Sequence, residues 1–208
     1  MSWPSRLPLI AILRGIRPNE AESHARALVD AGFDAIEVPL NSPDWRTSVS
    51  RIVQSFGNVA LVGAGTVLRD AEVDELIAAG GRLVVTPNTR PSLIRYAVGK
   101  GLWVAAGFAT ASEAFDALDA GAQALKVFPA TTYGPGHVKA LRSVLPAVPI
   151  FAVGGITPDN LAQYLRAGCA GAGLGGDLYQ PGQDVVRTAS RARDFVAAYR
   201  DATAKDAR

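Results

Sequence analysis

Cysteine is nearly missing from this chain. Cys169 stands alone among 208 residues, which excludes an internal disulfide, and with two histidines there is no Cys/His cluster to hold zinc. Beside Gly168 it reads as a small core residue. Charge of one sign is scarce too: 21 Lys and Arg face 19 Asp and Glu, a net +2 spread along helical faces without a basic block. Neither nucleic acid nor a membrane surface is therefore an expected partner. No apolar run reaches the roughly eighteen residues of a membrane-spanning helix. The N-terminal stretch Leu7 to Leu13 carries Pro8 and ends at Arg14-Gly15 with no small-residue cleavage pattern, which argues against a secretory signal and for a cytoplasmic location. Lysine is rare as well, with only Lys100, Lys126, Lys139 and Lys205, so the setting of each is informative.

What the chain has instead is a repeat. A helical pattern, then Ala-Gly, then a short apolar strand recurs as Ala31-Gly32 before Asp34 to Leu40, Ala79-Gly80 before Arg82 to Thr86, Ala120-Gly121 before Ala124 to Phe128, and Ala167-Gly168 before Ala170 to Leu174; Lys100-Gly101 before Leu102 to Ala106 is a variant. Glycine just past a helix supplies a left-handed cap, and unbroken apolar strands belong to a parallel sheet covered on both faces. The strands number eight, at 9–13, 35–40, 60–64, 83–86, 103–106, 124–128, 150–153 and 170–174. Helical patterns follow them at 19–31, 44–56, 70–79, 90–99, 111–119, 135–144, 158–167 and 182–201. Eight of each is the arithmetic of an α/β, single-domain (β/α)8 TIM barrel spanning 1–208, with 201–208 a polar tail expected to fray. An open doubly wound sheet would use fewer strands and show a glycine fingerprint after the first, which Arg14-Gly15-Ile16-Arg17 is not.

Lys126 is the outlier among the lysines, set inside the apolar strand Ala124-Leu125-Lys126-Val127-Phe128. Burial disfavours the ammonium form and lowers the pKa, which is the route to a nucleophilic amine; the competing reading is a snorkelling lysine paired with a carboxylate. In a barrel the chemistry sits at the C-terminal ends of the strands. Those ends carry Arg14, Glu37, Gly65-Thr66, Pro87-Asn88, Gly107-Phe108, Lys126 with Phe128, Gly154-Gly155 and Gly175-Gly176. Glu37, alone in Ala35-Ile36-Glu37-Val38-Pro39, suits either proton transfer beside a neutral amine or a structural ion pair with Arg14. The glycine pairs after strands 7 and 8 fit a backbone phosphate site. Arg14 offers a bidentate fork to a carboxylate, Thr66 a hydroxyl, and Phe128 and Pro87 walls for the amine's pocket or ordinary packing.

The segments Leu7-Pro8-Leu9-Ile10-Ala11-Ile12-Leu13-Arg14-Gly15, Ala35-Ile36-Glu37-Val38-Pro39-Leu40-Asn41-Ser42, Gly63-Ala64-Gly65-Thr66-Val67, Ala124-Leu125-Lys126-Val127-Phe128-Pro129 and Phe151-Ala152-Val153-Gly154-Gly155-Ile156 together resemble the class I aldolases of 2-keto-3-deoxy-6-phospho sugar acids, nearly end to end. The resemblance implies a Schiff base on Lys126, Glu37 as general acid and base, Arg14 and Thr66 on the pyruvyl carboxylate, and Gly154, Gly155, Gly175 and Gly176 on phosphate. It implies pyruvate and glyceraldehyde 3-phosphate as products, no metal or cofactor, and a homotrimer. Gluconate-specific members place threonine and arginine where Pro39 and Asn41 stand, and threonine where Val153 stands, so these departures favour the galactonate epimer. Gly176 occupies a position where many relatives carry serine. The rival functions are an aldolase preferring the gluconate epimer or taking both, a metal-dependent barrel aldolase or epimerase with Glu37 as ligand, and a phosphosugar-binding barrel without catalysis.

Overall fold

The structure, a computed structural model, describes residues 3–206. Strands and helices alternate as β1 (Leu9–Ile12), α1 (Pro18–Ala31), β2 (Ala35–Pro39), α2 (Trp45–Phe56), β3 (Leu61–Gly65), α3 (Asp70–Ala78), β4 (Leu83–Val85), α4 (Pro91–Gly99), β5 (Trp103–Phe108), α5 (Ala111–Asp119), β6 (Ala124–Val127), α6 (Ala130–Arg142), β7 (Ile150–Val153), α7 (Pro158–Arg166), β8 (Gly171–Leu174) and α8 (Val185–Asp206). All neighbours are parallel and β8 pairs back onto β1, so the sheet closes as a (β/α)8 barrel in sequence order.

Strand periodicity decides which side chains enter the ring. Because successive residues face opposite sides of a strand, Leu125 and Val127 of β6 go outward to the helices while Ala124 and Lys126 go inward. Ile10, Ile12, Ala35, Leu61, Leu83, Val85, Ala105, Ala124, Phe151 and Val153 fill the ring, with Trp3 and Trp103 packed against them. Trp3 closes the N-terminal end: its ring centroid is 4.8 Å from that of Phe151 and meets Trp103 edge-on at 6.2 Å. The outer layer is larger and is built by amphipathic helices whose apolar faces cover the strands.

Helix ends follow local chemistry. Thr110 and Glu113 form a reciprocal capping box at α5, and the Thr157 N–H donates to Asn160 Oδ1 at 2.9 Å at the start of α7. The Ala-Gly and Lys-Gly units end helices on a left-handed glycine, as at Gly32 with φ 107°. Two segments differ from the sequence reading. The sixth helix begins at Ala130, directly after a cis Phe128-Pro129 bond, and is interrupted at Gly134 (φ 77°, ψ 167°) ahead of Pro135. Pattern matching at 135–144 therefore sees only the part beyond the break. The last helix continues past 201 to Asp206, since Ala202 is buried and the Thr203 hydroxyl donates to the Tyr199 carbonyl at 3.0 Å; residues 207 and 208 of the expected tail lie outside the described residues.

Candidate active site

Of the inward positions, the ionisable ones near the open end are Glu37 on β2 and Lys126 on β6, which are 1% and 6% exposed. The ring makes room for them with glycine. Inward residues Gly63, Gly65 and Gly107 carry no side chain, and a Cβ on Gly65 would stand 1.9 Å from Glu37 Oε2. The carboxyl of Glu37 thus occupies the space that any other residue at 65 would fill. Gly107 pairs in register with Lys126 and lies against the Pro87 backbone, where a Cβ would meet the Pro87 carbonyl carbon at 2.3 Å.

Burial sets the charge states of this pair. Desolvation raises the Glu37 pKa from 4.5 to about 7, against the opposing pull of the Lys126 and Arg14 charges. Lys126 is lowered from its usual value, first by desolvation and further by Arg14, while Glu37 acts in the opposite direction. Among the described residues no donor reaches Glu37 Oε2, and no ion-pair contact within 4.0 Å joins it to Lys126. An amine biased toward its neutral form and a carboxyl that titrates near neutrality can exchange protons with a reactant at ordinary pH. Lys126 Nζ stands 5.0 Å from the centroid of the Phe128 ring, which is partly exposed at the mouth.

Beside the amine opens a cavity of about 290 Å³ whose wall includes Arg14, Phe128, Val153, both glycine pairs, Thr157 and Asp177. Of the residues singled out from sequence, Arg14, Phe128, Gly154, Gly155, Gly175 and Gly176 converge here; Lys126, Glu37, Thr66 and Pro87 do not line it. Gly155 must be glycine: its φ is +73°, and a Cβ would press to 2.6 Å from Thr131 Oγ1. Among the described residues the amides of Gly154, Gly155, Gly176 and Asp177 donate to nothing within the chain. Main-chain donors without partners beside a cavity are an anion site in waiting.

Arg14 follows β1 and is exposed, but its direction is fixed. Its Nη1 donates to Asn41 Oδ1 at 2.7 Å, and the neighbouring Gly15 N–H donates to Ser42 Oγ at 2.9 Å. Thr66 has φ 60°, the left-handed region that a β-branched residue enters only at a cost of roughly 1–3 kcal/mol. Asp177, Thr157 and Thr131 were not singled out in the sequence. Asp177 directly follows the second glycine pair, Thr157-Pro158 reads only as a helix cap, and Thr131 meets Gly155 only in the folded chain. Among the described residues no three His, Cys, Asp or Glu side chains gather as a metal-binding group, and no helix is long and apolar enough to cross a membrane.

A parallel barrel that buries one amine and one acid at the mouth of the ring is the frame of a carbon–carbon lyase of the aldolase class, and the comparisons agree. Residues 4–188 match the model of the aldolase family described as KDPG and KHG aldolase, and the chain belongs to that family. It is 59% identical to the 2-dehydro-3-deoxy-6-phosphogalactonate aldolase of Escherichia coli K12, over 97% of this chain and 99% of the relative. A solved structure described as native KDPGal superposes with a TM-score of 0.96 at 59% identity, covering 98% of this chain and 99% of that one. A cube-shaped protein cage, designed by fusing symmetric oligomeric domains, contains a part that is 58% identical with a TM-score of 0.96, covering 97% of this chain and 75% of that one.

Proposed function

We propose that this aldolase cleaves 2-dehydro-3-deoxy-6-phospho-D-galactonate to pyruvate and D-glyceraldehyde 3-phosphate through a Schiff base on Lys126. The observation that carries the proposal is the pairing of a buried amine with a buried carboxyl beside a cavity lined by unpartnered amides. Neutral Lys126 adds to the C2 ketone. The resulting carbinolamine loses water with a proton supplied by Glu37, and the iminium so formed is the electron sink. Glu37, now a carboxylate, takes the C4 hydroxyl proton as the C3–C4 bond breaks, and the electron pair of that bond becomes the enamine. Glyceraldehyde 3-phosphate departs. Protonation at C3 and hydrolysis then free pyruvate and regenerate the amine.

In this reading Arg14 and Thr66 hold the carboxylate, Phe128 and Pro87 wall the amine's pocket, and Gly154, Gly155, Gly175 and Gly176 take the phosphate. Arg14 also lines the glycine cavity, which favours a second assignment, to the phosphate end. An Arg14→Met variant separates the two: loss of pyruvate binding supports the carboxylate role, and a KM effect confined to phosphorylated substrate supports the other. The galactonate preference draws on Pro39, Asn41 and Val153 and on the likeness to the E. coli enzyme. A symmetric homotrimer in the cytoplasm, active in the presence of EDTA, completes the proposal; the cage-forming relative supports a symmetric assembly.

Borohydride reduction in the presence of pyruvate tests the covalent route. A reduced pyruvyl adduct on Lys126, absent from Lys126→Met, is expected. An unmodified Lys126 in active enzyme overturns it. Turnover of the two C4 epimers side by side tests the substrate.

A further inference from the structure

The anion cavity contains an apparent contradiction. Its amides are free to meet a phosphoryl group, yet Asp177, one residue beyond Gly176, contributes to the same wall. An uncompensated carboxylate there would repel a phosphate ester, most strongly at low ionic strength. The compensation comes from behind the loop. Arg191 on α8 donates from Nη2 to the Asp177 carboxylate and from Nε to the Asp177 carbonyl oxygen at 2.9 Å. Its Nη1 reaches Asp194 Oδ2 at 3.1 Å, and the guanidinium lies 5.7 Å from the Phe195 ring centroid, so it is anchored to its own helix. Gln180 Nε2 holds the Gly176 carbonyl at 3.0 Å. Two successive carbonyls of the loop are therefore tied back by side chains.

We infer that Arg191 is the positioning residue of the anion cavity: it offsets the charge of Asp177, draws that carboxylate back toward α8 and pins the loop after β8, so that the site accepts a phosphate ester rather than repelling it. The inference rests on the reading of the glycine cavity as the phosphate site. Arg191 itself does not line the cavity, and it acts through Asp177 and the main chain. Its loss should therefore be felt by substrates carrying phosphate and not by pyruvate, which has none.

The test compares the parent, Arg191→Ala, Asp177→Asn and the double variant by two readouts: KM for the phosphorylated keto-deoxy acid, and exchange of the pyruvate methyl protons with solvent. Arg191→Ala is expected to raise KM by about 10-fold while exchange stays within about twofold of the parent. Adding Asp177→Asn should restore KM to within about threefold, since removing the exposed charge does what the guanidinium did. A double variant as weak as Arg191→Ala overturns the charge role, as does an unchanged KM in the single variant. If Arg191→Ala loses exchange as well, it has not folded, and Asp177→Asn alone decides: tighter competitive inhibition by inorganic phosphate supports the inference, and an unchanged inhibition constant defeats it. Absence of competition by inorganic phosphate in the parent would instead remove the phosphate reading itself, and the inference with it.

Discussion

Glu37 combines two demands that conflict. A carboxyl able to shuttle protons near pH 7 has to be buried, and the same burial makes its ionised form a burden on the fold. Its folded pKa of about 7 lies above the unfolded 4.5, so the folded state binds the proton more tightly; the contribution to stability is complete below pH 4.5 and is lost as pH rises through 7. The shift corresponds to at most about 3 kcal/mol. Glu37→Gln is therefore expected to gain stability relative to the parent between pH 5 and pH 8, read as a rising difference in thermal midpoint. Its turnover should fall by roughly 10²–10⁴-fold, and the inflection near neutrality in the pH profile of pyruvate exchange should vanish. A variant with the same midpoint offset at both pH values would show that this carboxyl is not titrating in that range.

Between strands, small inward residues set the space left to the buried pair Glu37 and Lys126. Gly65→Ala on β3 places a methyl group where Glu37 Oε2 now lies. The carboxyl must swing away, at an overpacking cost of about 1–3 kcal/mol and a loss of turnover comparable to that of Glu37→Gln. Thermal unfolding and turnover measured together check this, and retention of full activity would contradict it. At the end of β7, Val153 lines the cavity and packs where a Cβ on Gly173 would be only 2.8 Å from its Cγ2. Val153→Thr keeps that shape and adds a hydroxyl, so turnover of the gluconate epimer relative to the galactonate epimer should rise by roughly 10-fold. All eight strands are legible from sequence because each is a short apolar run, and five of them follow an Ala-Gly or Lys-Gly unit, which is a local signal. The inward direction of Lys126 and Glu37 follows from the same alternation. The restart of α6 after Pro129 was not legible, because its first turn is held against strand ends rather than declared by periodicity. Asp177 is not legible for a related reason: its partner Arg191 lies fourteen residues away on a helix, and only the folded chain shows that Asp177 lines the cavity.

The whole molecule is closed by its first and last elements. β1 pairs with β8, and α1 packs along α8, where His24 Nδ1 lies 2.8 Å from Thr188 Oγ1 and its ring meets Tyr179 edge-on at 5.0 Å. Burial lowers the His24 pKa below 6.5, opposed by Glu20 and Asp184. The unfolded chain therefore takes up a proton that the folded one refuses, and stability falls as pH drops below about 6.5. His24→Gln should lose less of its thermal midpoint than the parent between pH 7 and pH 5; an equal loss would place the acid sensitivity elsewhere. At the N-terminal end of the ring Trp3 packs over Phe151, so in the proposed reaction the substrate and both fragments share the doorway at the other end. On the Schiff-base route proposed above, the keto acid stays bonded to Lys126 after the C3–C4 bond breaks, while the aldehyde is free. Departure must then be sequential, aldehyde before keto acid, and in the condensation direction the keto acid has to arrive first.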